Sequence, residues 1–269
     1  MNKLSLTGTV WVASDIHLGP HTPATALAFH AFLDQACAQA DALILCGDIF
    51  DAWIGDDFAL TSPPPWLATT LAKFSQVSGK IPLWLGRGNR DFLLGEPLAR
   101  HVGARLLPDQ VCLDTEAGTI LLSHGDEYCT ADRSYQRFRR VVRCGAVQWL
   151  FLNLSLPVRR RIADLARQRS MASNRHKTMS IMDVTPSAID QAFSACDASI
   201  MVHGHTHRPQ VHHLEVDGKP RTRWVLPDWD YDHDGMTRGG WLTIAAGGLQ
   251  LVQAHDQAAA NGASAPSAR

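Results

Sequence analysis

"TVWVASDIH", residues 9–17, is an apolar run rich in β-branched and aromatic residues that stops at an aspartate and a histidine two positions apart. Its length and content are those of a buried strand, which puts the polar pair at the strand's carboxyl end. Alternate residues of an extended segment share a side, so Asp15 and His17 can serve one partner together. The pattern then recurs. "ALILCG" (42–47) runs into "GDIFD" with Asp48, and "IPLWLG" (81–86) into "RGNRD" with Asn89. "TILLSHG" (119–125) closes on His124, and "ASIMVHG" (198–204) opens "HGHTH" with His203, His205 and His207. "RWVLPD" (223–228) and "WLTIAAGGLQLV" (241–252) are two further apolar runs.

Helix-length stretches at about 22–39, 62–79 and 93–102 separate the early runs, whereas the later runs follow one another closely. That order predicts an α/β fold of stacked layers with helices outside, rather than one doubly wound sheet. In α/β folds the carboxyl ends of strands are where a site assembles. The alternation breaks at about 130–180. "TADRSYQRFRRVVR" offers Thr130 or Asp132 as a helix cap and places Tyr135, Phe138 and Val142 at helical spacing. "WLFLNLSLPVRRRIADLARQRS" joins an apolar half to an arginine-rich half. The reading is one domain over 1–253 with a helical insertion at about 130–180, followed by a disordered tail, "AHDQAAANGASAPSAR", over 254–269.

At 269 residues with 45% hydrophobic content, the chain can bury a full core. The first residues lack the apolar stretch of a secretory signal. The most membrane-like run, "VQWLFLNLSLPV" (147–158), falls short of the roughly 20 apolar residues that a spanning helix needs. Six scattered cysteines without a C-x-x-C pair predict free thiols in a cytosolic chain. The net charge of −1 conceals a division. Twelve of the 25 Lys/Arg lie between Arg133 and Lys177 beside one acidic residue, Asp164, leaving 13 basic and 25 acidic residues elsewhere. Such a basic segment points to an anionic partner: nucleic acid, a lipid surface or a phosphorylated substrate.

Carboxylates, imidazoles and one amide, without thiolate, suit manganese, iron or zinc in a catalytic site. Seven such groups exceed the needs of one tetrahedral ion and fit two ions sharing a carboxylate. Two such ions about 3.5–4 Å apart clamp a phosphoryl group and supply hydroxide at neutral pH. Other patterns fail. "DYDHDG" (230–235) begins like a calcium loop, but its twelfth position is Trp241. "GRGNRD" lacks the later glycine or Gly-Lys-Ser of a nucleotide loop, and Ser14 and Ser123 show no triad order.

"DIH", "GDIFD", "GNRD", "HGD" and "GHTH", complete and in order over 15–207, resemble the signature of the calcineurin-like metallophosphoesterases. The resemblance implies a four-layer α/β/β/α sandwich. One metal would take Asp15, His17, Asp48 and His207, and the other Asp48, Asn89, His124 and His205, with Asp48 bridging. His203 reads as a buried or supporting histidine. Arg90 stands where most branches carry a histidine. Guanidinium keeps its proton, with a pKa above about 12, and grips phosphate oxygens bidentately. It therefore suits a leaving group that needs no proton, such as a phosphomonoester with a second pKa of about 6. The reaction favoured is cleavage of a phosphoanhydride.

Over about residues 9–230, "GDIFDAWIGDD", "GNRDFLLG", "HGDEYCTADRSYQRFRRVVR", "IMDV" and "HGHTHRPQVHH" resemble the UDP-2,3-diacylglucosamine diphosphatases. That family hydrolyses the pyrophosphate of UDP-2,3-diacylglucosamine at the α-phosphorus, in lipid A biosynthesis of Gram-negative bacteria. The resemblance implies two manganese ions and a peripheral position on the cytoplasmic face of the inner membrane, against its anionic lipid surface. It also implies substrate contacts at Asn89, Arg90, Asp132, Ser170, Asn174, Lys177 and His205, with Asn89, Arg90 and His205 stabilising the charge developed in the reaction. No nucleic acid and no obligate protein partner are expected. Two positions depart from the family: Arg87 replaces a histidine before Gly-Asn, and "LPDW" (226–229) replaces "LGDW". Both are read as bearing on substrate fit. Two rival readings stand beside this one: a two-metal phosphoesterase acting on nucleic acid or soluble nucleotides, its arginines tracking phosphates, and a non-catalytic scaffold that keeps the fold.

Overall fold

The residues described are 1–174, 181, 183–233 and 237–254, in a computed structural model of the chain. The strands, in chain order, are β1 (Asn2–Ser5), β2 (Val10–Ala13), β3 (Ala42–Leu45), β4 (Leu83–Leu85), β5 (Arg105–Leu106), β6 (Gln110–Thr115), β7 (Gly118–Ser123), β8 (Ile200–His203), β9 (Gln210–Val216), β10 (Lys219–Val225), β11 (Gly240–Ala245) and β12 (Gly248–Gln253). The helices are α1 (Pro23–Gln39), α2 (Asp56–Thr61), α3 (Pro65–Ser78), α4 (Glu96–His101), α5 (Arg133–Val142), α6 (Gly145–Leu152), α7 (Leu156–Asn174) and α8 (Pro186–Ala195). Proline in the first helical turn starts α1, α3, α4 and α8, where its missing N–H costs no hydrogen bond.

Two sheets form, ordered β12-β11-β2-β3-β4-β5 and β1-β6-β7-β8-β10-β9. Side-chain alternation decides how they stack. Val10 and Val12 of β2, with Ala42 and Ile44 of β3, meet Val111, Leu113, Ile120, Leu122 and Val202 of the other sheet. Their neighbours Trp11, Ala13, Leu43 and Leu45 point the other way, against Phe29, Phe32 and Leu33 of α1 and Leu71 and Phe74 of α3. On the far face of the second sheet, Leu121 and Met201 pack on Ile189 and Phe193 of α8. The architecture is the four-layer α/β/β/α sandwich that the motif resemblance implies. β2 through β5 run parallel, as do β7 and β8. The carboxyl ends of β2, β3, β4, β7 and β8 carry the five polar loops.

Some elements escape the apolar pattern. β1, β5, β6, β9 and the short α2 come from polar or very short stretches. "WLTIAAGGLQLV" is not one strand but a hairpin, β11 and β12, paired from Ala245 to Gly248, with Gly248 at a φ of 114° that favours glycine. The thiols also differ from expectation: Cys112 and Cys196 are joined in a disulfide, while Cys37, Cys46 and Cys144 are free. β6 and α8 share an apolar cluster, and an 84-residue separation carries no local sign of that pairing. Beyond Ala254, the tail expected to be disordered lies outside the described residues.

Between β7 and α8 come α5, α6 and α7. Asp132, rather than Thr130, caps α5, accepting the N–H of Tyr135 at 3.0 Å. Several arginines here turn inward. Arg139 donates through Nε to Asp126 at 2.7 Å, and Arg143 to Asp109 at 2.8 Å and to the carbonyl of Gly88 at 3.0 Å. Arg159, buried at the start of α7, grips Asp57 and the carbonyl of Ile54, and Arg167 reaches Asp51. Part of the basic excess is thus answered by acidic residues of the sandwich.

One carboxylate fastens the loops after β3 and β4. Asp91, fully buried, accepts the N–H groups of Gly88 (2.7 Å), Ile49 (2.7 Å), Asp48 (3.2 Å) and Phe50 (3.4 Å). Asp91→Ala leaves these donors unpaired in the interior, each costing about 1–3 kcal/mol. The expected outcome is a urea midpoint lowered by the equivalent of about 3 kcal/mol or more, together with loss of divalent-cation binding, read by denaturation and calorimetry.

Candidate metal centre

Three of the five loops, those after β2, β3 and β8, share a backbone property that their spacing does not announce. Asp15, His17, Asp48, His205 and His207 all have positive φ, between 50° and 65°. This left-handed region costs L-residues other than glycine about 1–2 kcal/mol each. Strain of this kind collects where a site needs side chains aimed in ways that a regular strand end cannot provide. Hydrogen bonds hold the turned backbone. Asp15 and His17 donate to the carbonyls of Gly47 and Asp48, Trp229 donates to the carbonyl of Asp15, and the N–H of His205 donates to the Asp15 carboxylate. Gly88 and Gly204 pass so near Asp48 and Asp15 that a Cβ at either would collide with the carboxylate.

The seven side chains named from sequence converge. His207 Nε2 lies 3.3 Å from Asp15 Oδ1 and 3.3 Å from His17 Nε2. Asn89 Oδ1 lies 2.8 Å from His205 Nδ1 and 3.2 Å from His124 Nε2. Asp48 stands between these groups, with Oδ2 3.9 Å from His17 Nδ1 and Oδ1 3.7 Å from His124 Nε2. Ligand atoms of Asp15, His17 and His207 lie within 4.8 Å of one another, as do those of Asp15, Asp48 and His124. Asp15, Asp48 and His124 are buried and His207 is exposed, so the cluster opens to solvent on the His207 side.

Electrostatics distinguish the members. Burial pushes Asp48 up to about 7 and draws His17 down to about 3 and His205 down to about 4. Burial also opposes charge on His124, but Asp48, Asp15 and Asp126 outweigh it and raise that imidazole to about 9. Burial would raise Asp15 too, yet the close approach of His207 and the charges of His124 and His17 hold it well below the usual carboxylate range. His124 directs Nδ1 at the carbonyl of Cys46, 3.2 Å away, leaving Nε2 to face Asn89 and Asp48.

These residues fit divalent cations. Asp15 Oδ1 and His17 Nδ1 are buried without a hydrogen-bond partner. Such atoms are costly in an interior unless a cation or a donor meets them. The donor set is oxygen and imidazole nitrogen, with no thiolate.

The remaining sequence-derived residues divide. Arg90 lies beside the cluster, its N–H on Asp48 Oδ1 at 2.8 Å and its guanidinium on Asp51 at 2.9 Å. Asp132 is occupied as the cap of α5. Ser170 and Asn174 belong to α7, but their side chains lie outside those described, and Lys177 lies outside the described residues. His203 is buried and turned away, taking a hydrogen bond from Arg223 on Nε2 at 3.0 Å and facing the carbonyl of Gly204 through Nδ1 at 2.9 Å. Arg87, read from sequence as bearing on substrate fit, pairs with Asp109 at 2.9 Å, and Arg143 holds the other oxygen of the same carboxylate. Sequence reasoning passed over the supporting carboxylates Asp51, Asp91 and Asp126. The repeated "GDIFD", "GNRD" and "HGD" endings were the signal that could have found them. Asp126 accepts from Tyr135 at 2.5 Å and from Arg139, tying α5 to the loop that carries His124.

The sequence profile described as calcineurin-like phosphoesterase matches residues 8–209. A Bordetella parapertussis protein named UDP-2,3-diacylglucosamine hydrolase is 56% identical over 259 residues, covering 95% of this chain and all of that one. Proteins of the same name from Aeromonas hydrophila and Proteus mirabilis are 43% and 39% identical, covering 80% and 91% of this chain and 88% and 98% of theirs. The chain belongs to the calcineurin-like phosphoesterase family and, within it, to the group of the UDP-2,3-diacylglucosamine hydrolases.

Proposed function

We propose that the protein hydrolyses UDP-2,3-diacylglucosamine to UMP and 2,3-diacylglucosamine 1-phosphate (lipid X) in lipid A biosynthesis. The observation that carries this reading is the convergence of seven oxygen and nitrogen donors beside a paired arginine, in a chain whose relatives bear that enzyme's name. Asp15, His17, Asp48 and His207 would hold one divalent ion, and Asp48, Asn89, His124 and His205 the other, with manganese the metal assigned. Such a pair lowers the pKa of water and neutralises phosphoryl charge.

The chain's own groups do the rest. Arg90, held by Asp51, grips the oxygens of the α-phosphoryl group and stabilises charge as it develops. With Oδ1 turned to His124 and His205, Asn89 has its amide N–H groups left to donate to the same phosphoryl. No side chain need protonate the departing lipid X phosphate, because its conjugate acid is already ionised near neutral pH. Asp132, Ser170, Asn174 and Lys177 are assigned to the remainder of the substrate, Asp132 also by seating α5.

The helical stretch suits the lipid end. Phe138, Val141, Trp149, Leu150, Val158 and Ile162 are exposed on α5–α7. Arg133, Arg137, Arg140, Arg161 and Arg169 are exposed beside them, without an ion pair among the described residues. Each such arginine is worth about 1 kcal/mol near an anionic leaflet. No helix among the described residues is long and apolar enough to cross a membrane. The position assigned is peripheral, on the cytoplasmic face of the inner membrane.

Protein stripped with chelator should release UMP from UDP-2,3-diacylglucosamine only after Mn2+ is restored. Cleavage of single-stranded DNA or dinucleoside polyphosphates alone would overturn the assignment. Arg90→Ala should lower kcat about 10²–10³-fold with Mn2+ content unchanged by mass spectrometry. Sedimentation with vesicles containing anionic phospholipid should exceed that with neutral vesicles and fall in high salt or in a Trp149→Ala/Leu150→Ala double variant.

A further inference from the structure

We propose that Asp228 is a positioning residue for His207, fixing its ring so that Nδ1 carries the proton and Nε2 is left free toward Asp15 and His17. The inference rests on the two-cation reading above and deepens it. His207 sits on an exposed turn with a φ of 53°, so its own backbone does little to hold the ring. Nδ1 lies 3.5 Å from Asp228 Oδ2, whereas Nε2 lies 3.3 Å from Asp15 Oδ1 and 3.3 Å from His17 Nε2. A neutral imidazole has one donor and one acceptor nitrogen, and an ionised carboxylate can only accept. Asp15 faces Nε2 more closely, but with Asp15 taken up by a cation Asp228 would be the carboxylate left to accept the ring proton. That selects the tautomer protonated on Nδ1 and leaves the lone pair on the nitrogen that faces the cluster.

Asp228 is itself held. It is buried, and Arg238 donates to its carboxylate through Nε at 3.2 Å and Nη2 at 3.0 Å. The next residue, Trp229, donates its N–H to the carbonyl of Asp15 at 3.0 Å. The segment after β10 is thus stitched to the loop that carries Asp15 and His17. His124 uses the same device with a different acceptor, placing Nδ1 against the carbonyl of Cys46. A ligand histidine whose second nitrogen is anchored in this way keeps both its orientation and its basicity. "LPDW", read from sequence as a matter of substrate fit, then bears on the metal side of the site.

The test is calorimetric titration of the chelator-stripped full chain with Mn2+, comparing wild type with Asp228→Asn and Asp228→Ala. The expected result is a 10–100-fold weaker Kd for one of the two ions in Asp228→Ala and a smaller loss in Asp228→Asn, whose carbonyl can still accept. UMP release should return toward wild type when Mn2+ is saturating. Unchanged affinity in both variants overturns the inference while leaving the two-cation reading standing. Wild type that binds no Mn2+ overturns both. A readout independent of variant folding is the long-range 1H–15N correlation of Zn2+-loaded wild type. A proton on Nδ1 of His207 supports the assignment, and a proton on Nε2 removes it.

Discussion

Five side chains of the centre hang from residues held in the left-handed backbone region, and the surrounding structure keeps them there. Left alone, each such residue would relax toward an ordinary strand or turn conformation, at a gain of about 1–2 kcal/mol. What prevents it is mutual fastening. Asp91 gathers the N–H groups of the two neighbouring loops, Asp15 receives the N–H of His205, and Trp229 closes on the carbonyl of Asp15. The rigid parallel strands beneath hold the loop roots in register. Without that register the loops could not restrain one another, and seven donors from five segments would not meet.

Charge organises the second half of the molecule. The basic stretch was read as a face for anionic partners, and part of it is. Yet Arg139, Arg143, Arg159 and Arg167 reach acidic residues at the rim of the sandwich. Three of these arginines reach a loop that carries a centre residue: Arg139 at Asp126 after His124, Arg143 at the carbonyl of Gly88 before Asn89, and Arg167 at Asp51, which pairs with Arg90. The helices that present apolar side chains outward are therefore seated on the loops that would handle the phosphates. Removing one partner of such a pair costs most where the other is buried, as at Asp126 and Arg159, and least at the exposed rim.

The residues that cluster were legible in the sequence because each follows an apolar run. A strand needs only its own composition to declare itself, and a motif at its end declares the rest. Stacked layers with helices outside followed from the order of runs and gaps, and their number from the motif resemblance. The supports were not legible, because they depend on neighbours in space. Nothing around Asp228 in the sequence indicates His207, and nothing around Asp109 indicates both Arg87 and Arg143. Of the strands missed, β1, β5 and β9 are edge segments, whose pairing comes from the sheet beside them, while β6 lies between β1 and β7. The Cys112–Cys196 bridge belongs with these, since only the packing of α8 on β6 joins the two residues.

Asp109 illustrates how a family departure can be absorbed. Its two oxygens are divided between Arg87, on the loop ahead of Asn89, and Arg143, at the end of α5. A histidine at position 87, as the wider family has, offers a shorter reach and a conditional charge. The arginine here thus makes one acidic residue a joint between modules. A chimera that borrowed the helical segment from a relative would inherit half of that joint, and should transplant cleanly only if positions 87 and 109 travel with it.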